Sequence, residues 1–230
     1  MEQTVLVTGG TSGLGYAIAN GFADAGYSVL AVGLGTMPAN RQGLTCQTLD
    51  VTDPVAVETC LSTLPRLKVL VNAAGIIRRN DELDPDVFAK VTDVNLTGTM
   101  RLCAAARPTL AKNNGCIINI ASMLSYFGGG LVPGYAASKG GVAQLTKSLA
   151  IAYANDGIRV NALAPGWIDT PMTKALQDDP DRSKTILGRT PLARWGKPEE
   201  LAGPALFLAS DAASFITGTL LNVDGGYAAM

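Results

Sequence analysis

A tyrosine and a lysine, Tyr135 and Lys139, are separated by one helical turn in Tyr135-Ala136-Ala137-Ser138-Lys139. On a helix, residues i and i+4 share a face. An ammonium beside a phenol favours the phenolate and lowers the tyrosine pKa from about 10 towards working pH. Such a tyrosine can pass a proton to or from a substrate oxygen. Ser122 follows a strongly apolar run, Cys116 to Ala121, and is placed to hydrogen-bond the same oxygen. Taken alone, the Tyr-Lys spacing fits any amphipathic helix, so the rest of the chain must say whether the chemistry is served.

Composition narrows the chemistry further. The chain has 230 residues, 47% apolar and 16% charged, with a net charge of −1. That describes one well-buried domain spanning residues 1–230, with no electrostatic footprint for nucleic acid or an anionic membrane. There is no histidine, and the four cysteines (Cys46, Cys60, Cys103, Cys116) are scattered. Histidine-dependent triads are excluded, and no metal site is expected. The cysteines read as buried thiols in a reducing compartment. Met1-Glu2-Gln3-Thr4 runs straight into Val5-Leu6-Val7 without a basic leader, and no run approaches a membrane span, so a cytoplasmic placement is expected.

The elements that must position Tyr135 alternate along the chain. Strands are expected at Thr4–Thr8, Ser28–Val32, Thr45–Leu49, Val69–Asn72, Cys116–Ala121, Arg159–Ala164 and Leu220–Val223. Most are continuous apolar runs, as parallel strands covered on both faces should be. Helical patterns lie between them: Gly13 to Gly26, Pro54 to Leu64, Pro85 to Asn113, Tyr135 to Ala154 and Pro198 to Leu208. Asp53-Pro54 and Asp84-Pro85 each read as an N-cap followed by proline at the first helical position. The expected fold is α/β: a Rossmann-type, doubly wound parallel sheet of about seven strands with helices on both faces. Residues 167 to 197 have little strand character and follow a strand's carboxyl end, which suggests a substrate lid.

The first strand ends in Thr8-Gly9-Gly10-Thr11-Ser12-Gly13-Leu14-Gly15. Glycines here permit a tight turn and let backbone N–H groups of the following helix approach a pyrophosphate. Asp50 and Val51 close the third strand, where an adenine ring could lie. Asn72-Ala73-Ala74-Gly75 closes the fourth with small side chains that leave room for a flat ring and a ribose; on its own, Asn72 reads equally well as a turn-capping amide.

Together these segments resemble the short-chain dehydrogenase/reductase family over nearly the whole chain. The family's glycine motif matches Gly9, Gly13 and Gly15, with Thr11, Ser12 and Leu14 inside it. Its Asn-Asn-Ala-Gly motif matches Asn72 to Gly75, with Ala73 in place of the second Asn. Its catalytic Asn, Ser, Tyr and Lys match Asn95, Ser122, Tyr135 and Lys139. Pro165-Gly166, followed by Ile168 and Thr170, matches the segment after the sixth strand, and Asp224-Gly225-Gly226 matches the family's ending. Gly75-Ile76-Ile77-Arg78-Arg79-Asn80, Ile120 to Ser125 and Arg194-Trp195-Gly196 look like the gluconate 5-dehydrogenase and 2-dehydro-3-deoxy-gluconate 5-dehydrogenase branch.

The resemblance implies an oxidoreductase that interconverts a secondary alcohol and a ketone, on a sugar acid or polyol, with NAD or NADP. Tyr135 is then the acid/base, and Ser122 holds the reacting oxygen. Lys139 lowers the tyrosine pKa and binds the nicotinamide ribose, and Asn95 holds a water that links Lys139 to solvent. It also implies a homotetramer built on the long helices. Arg78 and Arg79 suit a substrate carboxylate, a solvated loop or a subunit contact. The usual acidic mark for NAD is missing, since Gly33 ends the second strand, and no base stands at Ser12 or Leu34 for NADP. Arg41 is the nearest base, and the scarcity of positive charge favours NAD slightly. The alternatives are a reductase of 3-oxoacyl thioesters or hydrophobic ketones, and a catalytically silent dinucleotide sensor.

Overall fold

The computed structural model describes residues 3–230. Seven strands form one sheet: β1 (Thr4–Thr8), β2 (Ser28–Gly33), β3 (Leu44–Thr48), β4 (Leu67–Asn72), β5 (Cys116–Ile120), β6 (Arg159–Pro165) and β7 (Leu220–Val223). Every pairing is parallel and the order is β3-β2-β1-β4-β5-β6-β7. The order reverses between β1 and β4, which opens a crevice at their carboxyl ends. β5 and the inner parts of β1 and β4 are buried throughout, which is why they read as unbroken apolar runs.

Two apolar layers cover the sheet. On one face Ile18 and Phe22 of α1 (Gly13–Asp24) meet Val5, Val7 and Val29. On the other, Val57 and Leu61 of α2 (Pro54–Ser62) lie with Leu6, Leu70 and Ile117 in one core. Asp53 accepts the N–H groups of Val55 and Ala56, and Asp84 those of Asp86 and Val87, so both Asp-Pro pairs start helices as their sequence demands.

The pattern from Pro85 to Asn113 is not one helix. It divides into α3 (Pro85–Thr92), a π-helical turn (Asp93–Thr97) and α4 (Gly98–Lys112). Asn95 sits inside the wide turn, a feature that often marks functional sites. α5 (Pro133–Ala152) carries Tyr135 and Lys139. Two short helices, α6 (Lys174–Gln177) and α7 (Pro180–Gly188), occupy the segment expected to be a lid. The pattern from Pro198 to Leu208 becomes a 3-10 turn (Pro198–Leu201) followed by α8 (Ala202–Ala209). Among the described residues, no helix is long and apolar enough to cross a membrane, and no cluster of His, Cys, Asp or Glu could hold a metal ion.

Candidate active site

Ser122, Tyr135 and Lys139 converge at the carboxyl end of β5. Ser122 accepts the Leu124 N–H at 3.1 Å through its hydroxyl, and the Ser125 hydroxyl donates to the Lys139 carbonyl at 2.7 Å. The loop after β5 is thereby tied to α5. Ser122 and Tyr135 line one cavity of about 150 Å³ with Leu14, Ile77, Arg79, Pro165, Gly166, Ile168, Thr170 and Met172.

Lys139 is 4% exposed. Its Nζ donates to the Ile120 carbonyl at 2.6 Å and lies 5.7 Å from the centroid of the Tyr135 ring. Burial lowers the Lys139 pKa to about 8. The Tyr-Lys spacing predicts that Lys139 draws the tyrosine pKa down, and here the structure differs. Burial pushes Tyr135 above the ordinary phenol value; what pulls it back are the Ser122 hydrogen bond and the Arg79 charge, while Glu82 pushes it up. Lys139 gives one of its three N–H groups to the Ile120 carbonyl, and desolvation of the phenol is the largest influence on Tyr135.

Asn95 is fully buried. Its Oδ1 accepts the Ile76 N–H at 2.8 Å, and its Nδ2 donates to the Ile76 carbonyl and to Ser138 Oγ, both at 3.0 Å. Both amide hydrogens are therefore engaged. The expected water-holding role finds no free N–H on this side chain; it clamps the π turn to Ile76, in the loop after β4 that leads into the arginine pair.

A second groove, of about 540 Å³, runs along the carboxyl ends of β1, β2 and β3. Gly9, Thr11, Ser12, Asp50, Val51, Ala74 and Gly75 line it, with Gly33, Ile76, Arg78 and Lys90. At its base, Ser12 N-caps α1 without a side-chain hydrogen bond, so the first-turn N–H groups have no capping oxygen. Gly13 has φ +51 and a Cβ there would meet nothing nearer than Thr170 at 3.9 Å. A free helix N-terminus under an open glycine turn fits the pyrophosphate of a dinucleotide. Gly9 and Gly15 serve packing: a Cβ on Gly9 would stand 2.6 Å from the Ala73 carbonyl, and one on Gly15 would overlap the Gly9 carbonyl.

Two side chains take directions the sequence does not announce. Asn72 turns away from the groove into the core, where its Nδ2 donates to Asn119 Oδ1 at 2.9 Å; the side chain braces β4 to β5 instead of facing a cofactor. Arg41 reaches back to α1, where it meets Asn20 Oδ1 and Asp24 Oδ1, each at 2.8 Å. It is thus removed from the adenosine end of the groove. The arginine pair also divides: Arg78 lines the dinucleotide groove, while Arg79 lines the Tyr135 cavity and a second one of about 470 Å³ under α7. Neither forms a salt bridge among the described residues. Sequence reasoning missed Glu82, whose carboxylate bridges the Arg78 and Tyr135 backbones.

The chain is similar to known proteins over nearly its whole length. A family model described as enoyl-(acyl carrier protein) reductase matches residues 9–228. The 2-dehydro-3-deoxy-D-gluconate 5-dehydrogenase of Pseudoalteromonas atlantica is 41% identical over 242 residues, which cover 98% of this chain and 95% of that protein. The enzyme of the same name from Bacillus subtilis is 41% identical over 239 residues, 98% of this chain and 94% of its own length. The crystal structure of a gluconate 5-dehydrogenase from Burkholderia cenocepacia, in complex with NADP and tartrate, superposes with a TM-score of 0.90 at 32% identity, covering 100% of this chain and 97% of that one.

Proposed function

The chain belongs to the short-chain dehydrogenase/reductase family, and we propose that it interconverts a secondary alcohol and a ketone on a sugar acid or related polyol. The observation that carries this reading is Arg79. It is a guanidinium without an ion-pair partner among the described residues, on the wall of the cavity that also holds Tyr135 and Ser122. A carboxylate bound there would leave another carbon of the same short molecule at the phenol.

In the oxidising direction Tyr135 takes the proton of the substrate hydroxyl as the phenolate, the form that Ser122 and the Arg79 charge favour against burial, and Ser122 Oγ donates to the oxygen that gains charge. In the reducing direction the same groups return the proton. Lys139 holds the end of β5 against α5 and keeps a positive charge beside the phenol. Asn95 ties the π turn to Ile76, two residues before Arg78. A nicotinamide dinucleotide, NAD or NADP, when bound supplies the hydride acceptor or donor. Gly9, Thr11, Ser12, Gly13, Leu14 and Gly15 would hold its pyrophosphate, Asp50 and Val51 its adenine, and Ala74, Gly75, Pro165, Gly166, Ile168 and Thr170 its nicotinamide half.

Residues 167–197 act as the substrate lid, with Met172 and Thr173 against the Tyr135 cavity and Arg182 over the outer one. A cytoplasmic homotetramer is part of the same reading. Its support is apolar surface on the long-helix side: Phe88 and Met100 are each 37% exposed and Ile151 80%.

A second reading, a 3-oxoacyl-thioester or hydrophobic-ketone reductase, is favoured by the apolar walls Ile77, Met123, Leu124, Val132 and Met172. The deciding experiment follows reduced-nicotinamide absorbance with NAD and NADP against sugar acids, polyols, hydrophobic alcohols and an acetoacetyl thioester. Turnover of a gluconate-type acid that is lost on Tyr135→Phe, by about 10²–10⁴-fold or more, supports the first reading. Turnover confined to the thioester or apolar alcohols moves the chain to the second.

A further inference from the structure

Glu82 is 1% exposed, and the proposed mechanism does not use it. It lies in a short 3-10 turn, Asp81–Leu83, just after the arginine pair. Its two oxygens go to two different elements. Oε1 accepts the Arg78 N–H at 2.7 Å, and Oε2 accepts the Tyr135 N–H at 2.7 Å. Tyr135 is the third residue of α5, so its N–H is one that a helix leaves without an internal partner. Val132, at the N-cap, offers no side-chain acceptor. Glu82 is therefore the cap of α5, supplied from a distant loop. The same carboxylate closes the turn that carries Arg78 and Arg79, in which Asn80 is left-handed at φ 71. Gly134 leaves room for this approach, since a Cβ there would stand 3.3 Å from Glu82 Oε2 and from the Phe88 ring.

A buried carboxylate is tolerated where N–H donors and opposite charge meet it. Here two backbone donors, the N-terminus of a 20-residue helix and the nearby Arg79 do so. We propose that Glu82 is a positioning residue of the active site, whose carboxylate holds the Tyr135 end of α5 and the Arg78-Arg79 turn in one fixed arrangement. The inference rests on the proposed roles of Tyr135 and Arg79. It adds that the distance between the proton-handling phenol and the substrate-anchoring guanidinium is set by this one side chain.

Two substitutions separate this from a plain structural role. Glu82→Gln keeps the shape but presents one acceptor and one donor, so one of the two N–H groups loses its partner. Glu82→Asp keeps the charge but shortens the reach. Each should raise KM for a gluconate-type acid on the order of tenfold, as the loss of a buried charged hydrogen bond does. Their pH profiles should differ. The charged groups facing Tyr135 are Arg79, Lys139 and Glu82 itself. Removing the Glu82 charge favours the phenolate, so in Glu82→Gln the acidic limb of kcat for alcohol oxidation moves to lower pH. In Glu82→Asp it stays.

The experiment is steady-state kinetics of both variants across pH, with a tyrosinate-absorbance titration of the cofactor-free chain referenced to Tyr135→Phe. A raised KM in both, with the limb and the Tyr135 titration displaced only in the glutamine variant, supports the proposal. A folded Glu82→Gln with normal KM and an unmoved limb overturns it. Should the glutamine variant not fold, a normal KM in Glu82→Asp overturns it equally. If Tyr135→Phe keeps its turnover, the proposed function fails by itself, and the titration still shows whether Glu82 governs the phenol.

Discussion

Lys139 Nζ donates to the Ile120 carbonyl at 2.6 Å. That contact joins α5 to the end of β5, two residues before Ser122. It comes at a thermodynamic cost, because the ammonium is taken out of water and its pKa falls to about 8.

Replacing Lys139 by Met should therefore stabilise the fold while it abolishes turnover. A lysine that titrates near 10.5 unfolded and near 8 folded opposes folding below pH 8, and the penalty fades as pH rises to 10.5. The full shift corresponds to roughly 3 kcal/mol. The Ile120 carbonyl left unpaired takes back about 1–2 kcal/mol, for a net gain on the order of 1–2 kcal/mol at pH 7. Urea unfolding of both proteins at pH 7 and pH 10 checks this. The difference must shift against the methionine variant on going to pH 10; a variant that is less stable at pH 7 refutes the argument.

The arginine pair should separate into two phenotypes. Arg79 faces the Tyr135 cavity, and its charge lowers the phenol pKa. Arg79→Ala should raise KM for acidic substrates and move the acidic limb of kcat for oxidation to higher pH, because the phenolate has lost a cation. Arg78→Ala should leave that limb in place and weaken dinucleotide binding, measured as Kd by calorimetry, since Arg78 lines the other groove. Equal effects of the two substitutions on substrate KM would contradict the division.

Asn95→Ala tests the clamp on the π turn. The substitution strips partners from the Ile76 N–H, the Ile76 carbonyl and the Ser138 hydroxyl, all around a fully buried amide. Each unsatisfied buried group costs about 1–3 kcal/mol, and relaxation recovers part, so a loss of about 2–4 kcal/mol in urea unfolding is expected. A loss below about 1 kcal/mol would mean that the turn holds itself.

What the sequence made legible was what local chemistry dictates. All seven strands were located to within a residue or two, most of them by continuous apolar runs, because a parallel sheet covered on both faces leaves its inner strands no polar alternation. The Asp-Pro caps and the glycine turn carry their geometry in adjacent residues. The features it concealed depend on partners far along the chain. The π turn at Asn95 is held by the Ile76 backbone, so the Pro85 to Asn113 pattern looks like one helix. Asn72 reads as a groove residue until Asn119 and Cys103 are seen to receive it. Arg41 looks available to a phosphate until Asn20 and Asp24 claim it. Glu82 reads as one acid in a solvated Asp-Glu-Leu-Asp run, and nothing near it in sequence reveals that Tyr135 has an N–H to satisfy.

The adenosine end of the groove offers the last test. Gly33 ends β2 where an acid would discriminate against a 2′-phosphate. A Cβ at Gly33 would overlap Thr11 Oγ1, and Thr11 is 6% exposed. Gly33→Ala should thus destabilise the chain by about 1–2 kcal/mol, the scale of an overpacked core. In a Thr11→Ala background the hydroxyl is gone, and the remaining Thr11 Cβ contact of 3.4 Å is ordinary. There Gly33→Ala should be neutral or gain about 0.4–1 kcal/mol by stiffening the unfolded chain. A double-mutant cycle reads the coupling as at least about 1 kcal/mol; additivity would show that Thr11 does not exclude a side chain at position 33. With the space opened, Thr11→Ala/Gly33→Asp puts a carboxylate at the ribose end of a groove that Arg41 has left. The Kd for NADP should then rise at least about tenfold relative to that for NAD, and an unchanged ratio would mean that the end of β2 does not meet the ribose.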